Sequence, residues 1–248
     1  MKLVTCLIFS IFLFFQTSCD KESHSGKKNP KPRMKDGVAK SFYKGGKLHA
    51  EIIYKDGKKT GKAIEYYKNG GKSLEIDYKD GIKHGTVKRF FENGQLSELI
   101  LYVDGKKNGV QKKWRENGKL VTEAPYMNDL PCQGLKEYLL DGSIKMNYPS
   151  IIITPINKLD TQGLYILRLT LSNKSRNVSY AKGILNSECI SDAHDPIFFD
   201  ENTGVGEIRY YLSPGEFKME EINIIAKVKT LLGNVKIIQK SYNVAIDN

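Results

Sequence analysis

Four features are scarce in this 248-residue sequence, and each scarcity excludes something. Four cysteines are too few for a disulfide-dense scaffold at this length. Eight prolines against 22 glycines, with 14 tyrosines and 10 phenylalanines, favour strands and tight turns over helices. No apolar stretch reaches the roughly 20 residues that a membrane-spanning helix needs. The four histidines (His24, His49, His84 and His194) have no partner at metal-ligand or triad spacing. No nucleophile–base pair or glycine-rich phosphate loop is visible, so neither an enzyme nor a cofactor is expected. The acidic run Asp192, Asp195, Asp200 and Glu201 lacks an EF-hand pattern and reads as a solvated loop rather than a calcium site.

What is present begins with an address. Lys2 precedes an apolar run from Leu3 to Phe15, the length of an export signal. The run ends in Gln16-Thr17-Ser18-Cys19, which resembles the lipobox of bacterial lipoproteins, with Gln16 in place of the usual leucine. The resemblance implies cleavage after residue 18 and acylation of the Cys19 thiolate, which would tie the chain to a bacterial membrane. Residues 19–36 contain six basic side chains and no apolar periodicity, so they read as a basic flexible tether.

From residue 37 to residue 148 the sequence repeats every 24 residues. Phe42, Tyr66, Phe90, Trp114 and Tyr138 form one column; Gly46, Gly70, Gly94, Gly118 and Gly142 form a second. Gly37, Gly61, Gly85 and Gly109 form a third, Gly57, Gly81 and Gly105 a fourth, and Tyr54, Tyr78, Tyr102 and Tyr126 a fifth. Alternation in runs such as Leu74-Ile76-Tyr78 marks strands, and Asn69-Gly70, Asn93-Gly94, Asn117-Gly118 and Asp141-Gly142 suggest type I′ hairpin turns. Longer turns, such as Asp56 to Gly61, would carry the chain between units. The product is an antiparallel meander in which no unit buries its own face. In the fourth unit Asp129 replaces a column glycine, Gly134 is offset by one, and Pro131-Cys132 intrude, so an irregular loop is expected there.

The runs YYKNGGKSLEIDYKDGIKHG and FFENGQLSELILYVDGKKNG resemble the bacterial variant of the MORN (membrane occupation and recognition nexus) repeat. That resemblance implies a repeat sheet used for binding. It also brings an antitoxin label that many such proteins carry, and hence a second reading, in which the chain binds and neutralises a partner toxin.

Residues 149–248 lose the period and show short strands with turn signals, as in an all-β sandwich of immunoglobulin-like or fibronectin-like type. They contain 11 basic and 11 acidic residues, whereas residues 19–148 contain 27 and 17, so +10 of the net charge of +11 belongs to the tether and the repeats. Lys58, Lys59, Lys83, Lys106 and Lys107 occupy equivalent turns. Lys88, Lys112 and Lys136 precede Phe90, Trp114 and Tyr138 by two residues, on the same strand face. Together these eleven residues are the candidate binding surface, for a protein partner or an anionic envelope component; nucleic acid is out of reach of an exported chain. The competing role for the lysines is to solubilise a thin sheet and protect its strand edges, and that role has the stronger prior. Cys132 and Cys189 could pair across the two domains, although two cysteines so placed are more often free.

Overall fold

Two kinds of turn, alternating every twelve residues, set the geometry of the repeats. A computed structural model describes residues 36–185, 189–190 and 194–248; Cys19 and the export signal lie outside them. The first strands are β1 (Gly37–Phe42), β2 (Leu48–Lys55), the two-residue β3 (Lys58–Lys59), β4 (Gly61–Tyr66) and β5 (Lys72–Lys79). Next come β6 (Ile82–Phe90), β7 (Leu96–Val103), β8 (Lys106–Lys107), β9 (Gly109–Trp114) and β10 (Leu120–Met127). The two-residue strands β11 (Leu130–Pro131) and β12 (Lys136–Glu137) end the array. All twelve join one antiparallel sheet, ordered β1-β2-β4-β5-β6-β7-β9-β10-β11 with the remaining short strands alongside.

The turn chemistry is the reverse of the sequence expectation. At Asn69-Gly70 only the glycine takes a positive φ, of 91°. The Gly70 amide donates to the Tyr67 carbonyl and the Tyr67 amide to that of Gly71, so the loop is a type I turn closed by a glycine bulge. Asn69 is held out of the left-handed region because its Oδ1 accepts the Gly71 amide at 2.8 Å. Type I′ geometry belongs to the other turns. Asp56 and Gly57 have φ of 52° and 71°, and the pairs Asp80-Gly81 and Asp104-Gly105 follow suit. In the fourth unit Asn128 and Asp129 adopt the same form, and the chain stays regular through Pro131-Cys132, where the Cys132 amide bonds to the Pro125 carbonyl as that of Asn108 does to Leu101; it departs only at Gln133-Gly134.

Glycine at position 85 answers a packing need. A Cβ on Gly85, whose φ is +110°, would stand 2.8 Å from the Cβ of Asp77. At the equivalent Gly61 and Gly109 a Cβ would make only ordinary contact with Ile53 and Leu101, at 3.5 and 3.9 Å, so the tight approach belongs to Gly85. The apolar content is thin: Leu74, Ile76, Val87 and Ile100 form the buried cluster, flanked by Tyr78, Tyr102 and Tyr126.

The C-terminal half has a conventional core. It comprises β13 (Ile151–Lys158), the one-turn α1 (Leu159–Gln162), β14 (Leu164–Leu171), β15 (Val178–Lys182) and β16 (Asp195–Ile197). It continues with β17 (Phe199–Asp200), β18 (Val205–Tyr211), β19 (Phe217–Lys229) and β20 (Val235–Asp247). Two four-stranded antiparallel sheets, β13-β14-β18-β17 and β16-β15-β19-β20, share one core built on Leu167, Leu169, Ile222 and Ile224. That strand order is an immunoglobulin-type sandwich, A-B-E-D facing C′-C-F-G.

Replacing Gly85 with alanine adds a left-handed backbone penalty to a steric clash, and should cost about 2–4 kcal/mol. At Gly46, where nothing lies within 4 Å, only the backbone penalty applies, about 1–2 kcal/mol. Urea titrations of the two variants measure the difference.

Candidate binding surface

Pleating divides the predicted surface between two faces. Along one face runs an alternating ladder, because Tyr54 pairs with Lys59, Tyr78 with Lys83 and Tyr102 with Lys107. Each lysine ammonium lies over the tyrosine of the next unit: Lys59 over Tyr78 at 5.1 Å, Lys83 over Tyr102 at 5.0 Å, and Lys107 over Tyr126 at 4.8 Å. These lysines are cation–π staples between units, each contributing about 0.5–1 kcal/mol. Backbone bonds follow the same step, from the Gly81 amide to the Lys59 carbonyl, Gly105 to Lys83, and Asp129 to Lys107. Lys59, Lys83 and Lys107 thus spend their charge on the fold.

Lys58 and Lys106 point to the opposite side of the same turns and are exposed, as are Lys55 and Lys79 at equivalent positions. The edge carries seven lysines (55, 58, 59, 79, 83, 106 and 107) against five aspartates (36, 56, 80, 104 and 129), so it is net positive. Asp36, where the described chain begins, sits on this edge, its Oδ1 accepting the Gly57 amide at 3.3 Å.

Lys88, Lys112 and Lys136 lie on the second face, in a row that runs Lys40, Glu51, Ile64, Glu75, Lys88, Leu99, Lys112, Glu123, Lys136. Glu51, Glu75 and Glu123 are interleaved with the four lysines of this row. Lys112 pairs with Glu123 at 2.9 Å, and the Tyr138 hydroxyl donates to the same carboxylate at 2.7 Å. The bonds from Tyr138 and then Lys112 hold the Glu123 carboxyl below its ordinary range. Lys62 bridges Glu75 and Asp77 at 2.8 Å each, so its ammonium titrates well above the usual lysine value. Phe90, Trp114 and Tyr138 lie at the far end of this face, beside the glycine-bulge turns and half-buried. The eleven residues therefore do not form one patch.

The strongest polar assembly is one the sequence did not reveal. Glu137 is 2% exposed, and its carboxylate accepts the Thr230 hydroxyl at 2.6 Å and the Asn234 amide at 2.9 Å, both from the β19–β20 turn. Lys145 and the Tyr148 hydroxyl approach its other oxygen at 3.3 Å. Burial opposes the charge of Glu137, but the bonds from Thr230, Asn234 and Lys145 outweigh it and lower its pKa. Tyr148 is pushed up to about 12 by burial and by the charge of Glu137. Lys236 caps the Tyr148 ring at 4.4 Å and donates to the Leu135 carbonyl. Cys132 and Cys189 form a disulfide at the same junction, against the expectation that they stay free, because the Pro131 carbonyl accepts the Ile190 amide and sets the strands side by side. The last repeat is thereby fastened to the sandwich.

Metal chemistry finds no support among the described residues, where no group of three or more His, Cys, Asp or Glu is placed to hold an ion. Asp192 of the acidic run lies outside them, and Asp200 accepts bonds from the Asn202 amide and the Thr203 hydroxyl as a turn former.

With this geometry established, comparison with known proteins adds a class. The family model described as MORN repeat variant matches residues 35–56, 83–104 and 107–128, each spanning one hairpin of the array. This supports a MORN-repeat family, and such repeats are generally protein- or membrane-binding modules. No curated protein matches the chain.

Three outcomes test the junction. The carboxylate of Glu137 has a folded pKa below its ordinary 4.5, so it contributes stability above that value and the contribution fades as pH falls through the folded pKa. Glu137→Gln should flatten the acid limb of a stability–pH profile, and Glu137→Ala should cost about 2–4 kcal/mol at pH 7 by stranding Thr230 and Asn234. Replacing Cys132 and Cys189 with serine should lower stability by about 2–4 kcal/mol, measured by denaturant unfolding with and without reductant.

Proposed function

We propose that this is a non-enzymatic bacterial envelope lipoprotein, acylated at Cys19, whose repeat sheet is a binding and scaffold surface. Its exposed turn lysines would rest against anionic lipid headgroups. The observation that carries the reading is the position of Asp36: the described chain begins at the edge that bears Lys55, Lys58, Lys79 and Lys106. An acyl chain at Cys19 and the basic side chains of residues 19–36 would then act on one surface together with that edge. The disulfide between Cys132 and Cys189 favours an oxidising compartment, as the envelope would be. With carboxylates such as Glu75 and Glu123 pairing with lysines, the second face of the array is suited to bind a protein through shape and polar pairing. The sandwich holds the end of the array through Glu137 and the disulfide, and acts as a rigid spacer or second contact module.

Vesicle flotation of the full chain carrying Cys19→Ala separates headgroup attraction from acylation. Binding should be strong with phosphatidylglycerol vesicles and weak with phosphatidylcholine. The triple variant Lys58→Glu, Lys79→Glu, Lys106→Glu should lose about 1 kcal/mol per lysine, roughly a hundredfold in all. Equal binding to both vesicles, or none lost in the variant, overturns the membrane-facing edge. In cells, Cys19→Ala should release the protein from the membrane fraction. Recovery of one stoichiometric toxic protein with the anchored chain would instead support the antitoxin-like reading.

A further inference from the structure

Sheet edges decide what a β-protein can pair with, because each exposes a row of unpaired N–H and C=O groups. Nearly every edge here is blunted. Strand β11 has two residues and contains Pro131; β13 contains Pro155; β16 has three residues including Pro196; β17 has two. The first half of β20 is overlaid, with Lys236 donating to the Leu135 carbonyl and Lys240 to that of Ile151. Strand β1 differs. It is six residues long, contains no proline, and lies at the end of the array with no strand beyond it among the described residues. Its equivalents β4, β6 and β9 are each paired on both sides.

The chemistry of that edge is self-complementary. The Tyr43 amide donates inward to the Lys47 carbonyl, so by alternation the odd residues of β1 bond to β2 and the amides of Val38, Lys40 and Phe42 point outward. Those three side chains share one face. Val38 and Phe42 are 56% and 59% exposed, large values for apolar side chains on a strand. Lys40, the usual charged guard of an edge, is paired with Glu51 at 2.9 Å.

We propose that β1 pairs antiparallel with β1 of a second copy, about a two-fold axis through Lys40, so that two arrays join into one continuous sheet. In this register the outward amides of residue 40 bond reciprocally. Val38 stands opposite Phe42 of the other copy, and Ala39 opposite Ser41. A register shifted by two residues would set Val38 or Phe42 against a lysine, so apolar contact selects the central one. The two Lys40 ammonium groups face each other, and each keeps its own Glu51 carboxylate. The pairing does not depend on acylation. Its contact area is small beside the roughly 1,200 Å² of a stable interface, so it is a concentration-dependent association best detected by trapping.

Residues directly opposite in a hydrogen-bonded pair have Cα atoms about 5.5 Å apart, within disulfide range. In the full chain with Cys6 and Cys19 replaced by alanine, Lys40→Cys should form a covalent dimer under mild oxidation. Val38→Cys, which faces residue 42, should give about tenfold less. Adding Phe42→Asp to Lys40→Cys should lower the yield to the Val38→Cys level, while the Cys132–Cys189 bridge reports that both variants remain folded. Equal yields from residues 38 and 40 would mean random collision and overturn the proposal. So would a Lys40→Cys adduct formed in the native envelope with a different protein, which would assign the edge to a partner strand.

Discussion

Contact between units one repeat apart is the constraint on which the rest of the array depends. The buried apolar cluster of the repeats amounts to Leu74, Ile76, Val87 and Ile100, which cannot offset the ordering entropy of more than a hundred residues. Repetition supplies what a core does not. Three successive steps each add a lysine over a tyrosine and a turn amide on the preceding turn carbonyl, at Lys59, Lys83 and Lys107. On the far edge the Tyr43 hydroxyl reaches the Tyr66 carbonyl and the Tyr67 hydroxyl that of Phe90, again one unit on. Each contact is worth little alone. Because all recur at one spacing, they add along the array, as expected of a quasi-one-dimensional structure.

Such an array needs an end. At its C-terminal side the sandwich provides one, through a buried carboxylate that accepts bonds from the β19–β20 turn and through a covalent bridge. Joining a thin sheet to a domain with a dense core transfers stability to the last units, while β1 at the other end has no strand beyond it among the described residues. One end is fastened to the sandwich, while at the other the described chain begins on the lysine-bearing edge.

Much of this was legible in the sequence because the 24-residue period is itself a structural statement. Strand positions and the tyrosine ladder of the array follow from columns such as Tyr54 to Tyr126 and from alternation in runs such as Leu74 to Tyr78, and the sandwich class from the short strands and turn signals of residues 149–248. The turn types did not follow, because Asn-Gly supports two geometries and the choice lies in whether the Asn69 side chain caps the Gly71 amide. Strands β15, β16 and β17 were invisible, being short, with Pro196 inside one of them. The lysine columns were read correctly as periodic but not as divided, since the pleat sends Lys58 and Lys59 to opposite faces and only the register shows which meets a tyrosine. Glu137 gave no signal, because its partners Thr230 and Asn234 are more than ninety residues away.

Excision of whole and half repeats tests most directly whether neighbouring units stabilise one another by translation. Removing residues 61–84 joins Thr60 to Gly85 and preserves every column; removing residues 61–72 shifts the columns by half a period. Denaturant unfolding followed by far-ultraviolet circular dichroism, with the Cys132–Cys189 bridge assayed in parallel, compares the two chains. The account predicts that the 24-residue deletion folds cooperatively with a lower midpoint, whereas the 12-residue deletion loses the strand signal of the array. Two deletions that behave alike, both folded or both unfolded, would contradict it.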